Sequence, residues 1–261
     1  MLIDAGTYEA GPVIADWLKN KGISKIDVVV STHPHSDHIG GLPYILKRFK
    51  IGVLVDSGDS HTTPTYEKLL RIIDSESIPY KTVRSGDTIP LDPSITIDVL
   101  SPTEPLGDDL NDNSIVLKIT NGKTSVLLMG DAGIKIEDQI ISSQKDLKSN
   151  ILKVGHHGSR HSSGKKFIEE VSPDIAIISL AKDNSYGYPH QNPIRYLTES
   201  GSRIMQTDKE GTITIRVDDS GITILSRDDT QDMSDCSCSA IKEFCKTSAG
   251  MITPCCQGCS G

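Results

Sequence analysis

The run Ile26-Asp27-Val28-Val29-Val30, apolar but for Asp27, leads directly into Thr32-His33-Pro34-His35-Ser36-Asp37-His38 and then Gly40-Gly41. A β-branched run of this kind reads as a strand buried on both faces, the pattern of a sheet sandwiched between other layers. Three imidazoles and a carboxylate within six residues therefore emerge from the end of a rigid element. Neutral imidazole and carboxylate are the usual ligands of zinc and similar divalent ions, and a strand end holds them at fixed separation. A merely solvated histidine-rich loop would not be bracketed by a buried strand and a glycine pair.

Strand-like and helix-like stretches alternate around this loop. A helix is expected near Pro12 to Lys21, with Val13, Ile14, Trp17 and Leu18 on one face, and further helices near 42–49, 66–74, 165–171 and 193–200. Strands are expected at Leu2 to Asp4, Gly52 to Val55, Ile95 to Leu100, Asn150 to Val154 and Asp174 to Leu180, with closing strands near Ile204, Thr212 to Val217 and Ile222 to Leu225. Asn121-Gly122 between Ser114–Thr120 and Lys123–Met129 is a strong hairpin signal and predicts an antiparallel pair. Hairpins mixed with helical crossovers indicate a layered α/β (α+β) domain. We place that domain at 1–227 and read 228–261 as a separate acidic, cysteine-rich tail.

The formal charge of -8 excludes a broad basic footprint for duplex DNA. Local clusters such as Lys47, Arg48 and Lys50, or Arg160, Lys165 and Lys166, are nevertheless sufficient to hold a polyanion. No run approaches the ~20 apolar residues of a membrane span, and Met1 opens no basic and apolar leader, so the expectation is a soluble, cytoplasmic protein. All six cysteines, Cys236, Cys238, Cys245, Cys255, Cys256 and Cys259, follow residue 235, which removes thiol chemistry from the catalytic reading. Their Cys-x-Cys and Cys-x-x-Cys spacings suit a metal knuckle, a disulfide knot or a free thiol tail that meets a protein partner.

Other candidate residues lie where strands end. Asp131 follows Ser125–Met129, and His156 and His157 follow Asn150–Val154; one of that pair is expected to face a metal and the other the substrate or a carboxylate. His190, after Asp174–Leu180, is the candidate last metal ligand. Asp4, ending the first strand, is placed to accept the far N–H of a ligand imidazole without touching metal.

The pattern His33-x-His35-x-Asp37-His38 resembles the signature of the metallo-β-lactamase superfamily. Asn113-Ser114, Gly130-Asp131, His156-His157-Gly158-Ser159 and Gly187-x-Pro189-His190 further resemble the hydrolase domain of ComEC-type competence proteins, and the likeness extends from Leu2 to Val217. It implies a four-layer αββα sandwich with two divalent ions, zinc or else manganese, at one edge between the sheets. It implies His33, His35, Asp37, His38, Asp131 and His190 as ligands, with Asp131 bridging. Asn113, Ser114 and Ser159 would contact the substrate, and Asp37, His156 or His157 would manage protons. The implied reaction is hydrolysis of a phosphodiester, DNA included, by water activated between the metals. Thioester, lactone or phosphorylcholine-ester hydrolysis is the alternative, because fold does not fix substrate, and a non-catalytic binding module is the second.

The chain departs from this pattern in three places. Gly187-Tyr188-Pro189-His190 stands where related sequences read Gly-His-Pro-His. The chain begins inside the Leu-Ile-Asp-Ala-Gly segment, so either the family's N-terminal edge strand is lacking or the start is misassigned. It also lacks the membrane spans of a competence channel, so the expectation is a freestanding relative whose role in DNA uptake does not carry over.

Overall fold

The computed structural model describes residues 1–218 and 221–225. The boundary at 227 and the tail with its six cysteines lie outside the described residues.

Two main sheets face one another. The first joins β1 (Leu2–Ile3), β2 (Lys25–Ser31), β3 (Lys50–Asp56) and β4 (Tyr80–Thr82) in that order, all parallel. The second runs β10-β9-β8-β7-β6-β5, from Arg203–Gln206 through Ile175–Ile178, Ile151–Lys153, Thr124–Leu128 and Val116–Asn121 to Ile95–Ser101. Its β5-β6-β7 portion is antiparallel and the remainder parallel. A hairpin of β11 (Thr214–Asp218) and β12 (Gly221–Leu225) packs Ile215, Val217, Ile222 and Ile224 against Ile151, Ile175 and Met205.

Strand alternation explains the layers. On β2, Val28 and Val30 point between the sheets to meet Val55, Ile97, Val99 and Leu117. Val29 points the other way, under α1 (Ala10–Asn20), α3 (Leu42–Leu46) and α4 (Pro64–Ser75), among Ala15, Leu18, Ile45 and Leu69. The outer face of the second sheet is covered by α5 (Ile134–Ser142), α6 (Lys165–Val171) and α7 (Gln191–Glu199), with Leu127 and Leu152 meeting Ile136, Ile140, Phe167 and Leu197. This is the αββα sandwich expected. Among the described residues no helix is long and apolar enough to cross a membrane.

Several details differ from the sequence reading. The β6–β7 loop is Gly122-Lys123, because Asn121 is already paired with Thr124. The short α2 (Ser36–Ile39) and α8 (Thr207–Glu210), strand β4 and helix α5 carry too few periodic residues, or too weak a cap, to stand out from sequence. Helix α5 rests on Ile136 and Ile140, a single i,i+4 pair.

Candidate metal centre

The His33–His38 loop leaves the end of β2 and winds directly into α2, with His35 as the residue before the first turn. Its path is pinned from below. A Cβ at Gly41 would collide with the carbonyl oxygen of Ala5, so glycine there lets the β1 exit and the helices after the loop approach closely.

Asp4 organises this side of the centre. Its Oδ1 accepts the Thr32 backbone N–H (2.9 Å), and its Oδ2 accepts the Thr32 hydroxyl (2.8 Å) and His38 Nδ1–H (2.7 Å). Because the Thr32 hydroxyl donates to Asp4, its oxygen is left to accept from His33 Nδ1, 3.1 Å away. These bonds orient both rings with Nε2 aimed inward. His33 Nε2 lies 3.0 Å from His35 Nδ1 and 4.0 Å from Asp131 Oδ2.

The other side comes from the second sheet. Asp131 follows β7, and its backbone N–H is held by Ser114 Oγ at 3.1 Å. Its Oδ1 is buried, lies 3.2 Å from His38 Nε2 and takes part in no well-formed hydrogen bond. After β8 the chain turns through His156 and His157, both left-handed at φ 45° and 53°. Two adjacent non-glycine residues in this region cost on the order of 1 kcal/mol or more each, a strain characteristic of functional sites. The turn is secured by the bonds His156 N–H to Gly130 O (3.2 Å), Ser159 N–H to His156 O (2.8 Å) and Ser162 hydroxyl to Gly155 O (2.7 Å).

His157 Nδ1 donates to the Ser179 carbonyl at 2.7 Å, which turns Nε2 toward His38 Nε2 (3.3 Å), Asp37 Oδ2 (3.3 Å) and Asp131 Oδ2 (3.5 Å). Two sets of potential ligand atoms thus converge: His33, His38 and Asp131, and Asp37, His38 and His157. Nitrogens whose far partners carry the ring N–H, together with an orphaned buried carboxylate oxygen, form a donor set suited to divalent cations.

Charge in the protein alone tells the same story. Burial lowers His38, but Asp4 and Asp131 overturn this and raise it to about 10, so a proton there supplies positive charge to the set. Burial raises Asp131, yet the adjacent His38 and its charge, with His157 and His33 beside it, hold it far below the usual carboxylate range. The adjacent His157 outweighs burial at Asp37 and lowers it to about 2. Burial, reinforced by the neighbouring His38 charge, drives His33 down to about 3. Metal binding to such a set releases protons.

The remaining candidates are placed differently. His156 Nε2 is 3.9 Å from Asp131 Oδ2 and 3.3 Å from the Tyr188 hydroxyl, on the rim. His190 belongs to neither converging set; its Nδ1 accepts the Arg160 backbone N–H at 3.0 Å and its own N–H bonds Gly158 O. The Asn113 carboxamide is engaged inside the fold, donating to Asp59 Oδ2 (2.6 Å) and Gly107 O (2.7 Å) and accepting from Gly107 N–H (2.8 Å). Ser159 is buried, and its Oγ accepts the His161 N–H. Sequence reasoning missed His61, whose ring stands 6.2 Å from that of His35 with Nδ1 buried and unbonded. A single histidine in an irregular loop gives no signal by itself.

A sandwich with a carboxylate and imidazole centre at one edge between its sheets defines a class of metal-dependent hydrolases. Residues 1–182 match the model of the metallo-beta-lactamase superfamily, and the chain belongs to that superfamily. It is 35% identical over 204 residues to ComE operon protein 3 of Bacillus subtilis, covering 78% of this chain and 26% of that protein. It is 26% identical to Competence protein ComA of Neisseria gonorrhoeae (82% and 28% covered) and 28% identical to Recombination protein 2 of Haemophilus influenzae (82% and 26%). The chain thus spans about a quarter of the length of these relatives.

Proposed function

We propose that this chain is a phosphodiesterase acting on nucleic acid, with two divalent ions, zinc or else manganese, as cofactors. The observation that carries the reading is the meeting of His38, His157, Asp37 and Asp131 from two separate sheets, with Asp4 and Ser179 occupying the far nitrogens of both rings. His33, His35 and Asp131 would hold one ion, and Asp37, His38, His157 and Asp131 the other, so that Asp131 is shared. In this reading His157, and not His190, is the last ligand.

Bound ions of this kind supply Lewis acidity and ease the deprotonation of water. The protein residues do the rest. Asp4 and Thr32 fix the ring orientations, and Ser114 steadies the backbone that carries Asp131. His156, on the rim with Nε2 beside the Tyr188 hydroxyl, handles protons, with Asp37 the alternative. Asn113 and Ser159 shape loops, and His190 anchors the Arg160 segment. The relatives named for competence and recombination support a nucleic-acid substrate.

The test is metal content of the purified chain together with turnover of bis(p-nitrophenyl) phosphate against a thioester, a lactone and a phosphorylcholine ester. About two ions per chain and chelator-sensitive diester cleavage are expected. Preferential turnover of another ester replaces the reading with that chemistry, and a chain that binds no metal removes it.

A further inference from the structure

Three rings form a graded stack from solvent to the metal centre. Tyr186, 72% exposed, lies against Tyr188 with centroids 5.3 Å and planes 14° apart. Tyr188 lies against His157 at 6.2 Å and 25°, and its hydroxyl is 3.3 Å from His156 Nε2. The ledge is built into the backbone. Gly187 takes φ 72°, and the Asn184 side chain clamps the turn from both ends, accepting the Tyr188 N–H (2.8 Å) and donating to the Tyr188 carbonyl (3.0 Å). With one face covered by Tyr188, the Tyr186 ring leaves its other face to water. The adjoining rim brings in Arg160, an exposed cationic residue whose N–H is held by His190, itself 5.3 Å from the Tyr188 ring.

We propose that the Tyr186–Tyr188 stack is a platform for an unpaired nucleobase beside the scissile phosphate, so that the substrate is a single-stranded nucleic acid. The proposal rests on the phosphodiester reading and specifies its substrate class. An aromatic ring with a face open to solvent is how strand-binding proteins hold bases without reading their sequence. Paired bases have both faces covered in the duplex and offer no surface to such a ring.

The test uses the zinc-loaded full chain and a hydrolysis-resistant phosphorothioate oligonucleotide carrying a fluorescent purine analogue that is quenched on stacking. Tyr186→Ala is expected to remove the quench and weaken binding by about 5- to 100-fold. Tyr186→Phe is expected to retain both, and an abasic oligonucleotide of equal length to bind wild type and Tyr186→Ala alike. Metal content should be the same in all three proteins. Equal affinity and quench in wild type and Tyr186→Ala overturn the platform, as does an equal loss on the abasic strand or a loss of phosphorylcholine binding in place of oligonucleotide binding. Failure of the wild type to cleave an unmodified oligonucleotide overturns the phosphodiester reading itself, which separates the two.

Discussion

His33 is fully buried and His38 is 3% exposed, each with its far nitrogen engaged by Thr32 or Asp4, whereas the side chains of His156 and His157 are 22% and 18% exposed and ride on left-handed backbone. The first-sheet side of the centre is a solid base in which ring orientation is set by carboxylate and hydroxyl. On the second-sheet side Asp131 is equally buried, and it is the strained His156–His157 turn that forms a more open rim joining the centre to Tyr188 and Tyr186. Burial with complete hydrogen bonding suits groups that must not move when ions bind, while exposure suits groups that meet substrate.

Breaking the shared element should have the largest effect. Asp131→Ala removes the carboxylate proposed to serve both ions, and diester turnover should fall by at least ~10³-fold while circular dichroism stays native. Unchanged turnover sinks the shared-ligand assignment. His157→Ala, the rim residue that reaches inward, should lower metal content from about two ions to one by elemental analysis.

The rim is also tied to the core through Glu137, a buried α5 carboxylate that accepts the backbone N–H groups of Ser163 and Gly164 in the loop after the histidine turn. Burial pushes Glu137 up from 4.5 to about 7 against those two hydrogen bonds. A carboxyl raised in the folded state contributes stability that is fully present below pH 4.5 and lost as pH rises toward 7, an amount of roughly 3 kcal/mol. Chemical denaturation across that window should reveal the decline, and Glu137→Gln should flatten it. An identical slope in the variant assigns the pH dependence elsewhere.

Smaller changes sharpen the comparison. Asp4→Asn weakens the orientation of His38 without deleting a ligand, so metal affinity should drop by about 10- to 100-fold in a chelator competition. His190→Ala, on the rim but outside both converging sets, should leave metal content unchanged and alter turnover the least; loss of an ion would restore His190 as a ligand.

Much of the fold was legible because its signals are local. The β2 run, the hairpin signal around Gly122 and the apolar face of α4 each follow from neighbours along the chain, and α6 falls where its periodicity places it. Helix α1, by contrast, turns Gly11, Ala15 and Leu18 inward and leaves Val13 and Trp17 of the expected face exposed, because the small residues Gly11 and Ala15 let it pack closely. The His33–His38 loop, Asp131 and the His156–His157 pair were legible as candidates because each follows a strand, and strand ends gather at the edge of a sandwich. His190 shows where that rule fails: it also follows a strand, yet the turn through Tyr188 and Pro189 directs it to Arg160. Asn113 resembled a substrate contact, but its partners Asp59 and Gly107 come from other loops.

By itself, then, the amino-acid order determined the family, the layered architecture and the stock of imidazoles and carboxylates, all of which depend on short-range periodicity and motif spacing. Tertiary structure alone decided which nitrogen of each ring faces inward, which histidine of the pair joins Asp37 and Asp131, and that Tyr186 and Tyr188 stack at the rim. Those outcomes depend on hydrogen bonds and ring contacts across loops far apart in sequence, such as His38 with His157 over 119 residues, and local spacing carries no record of them.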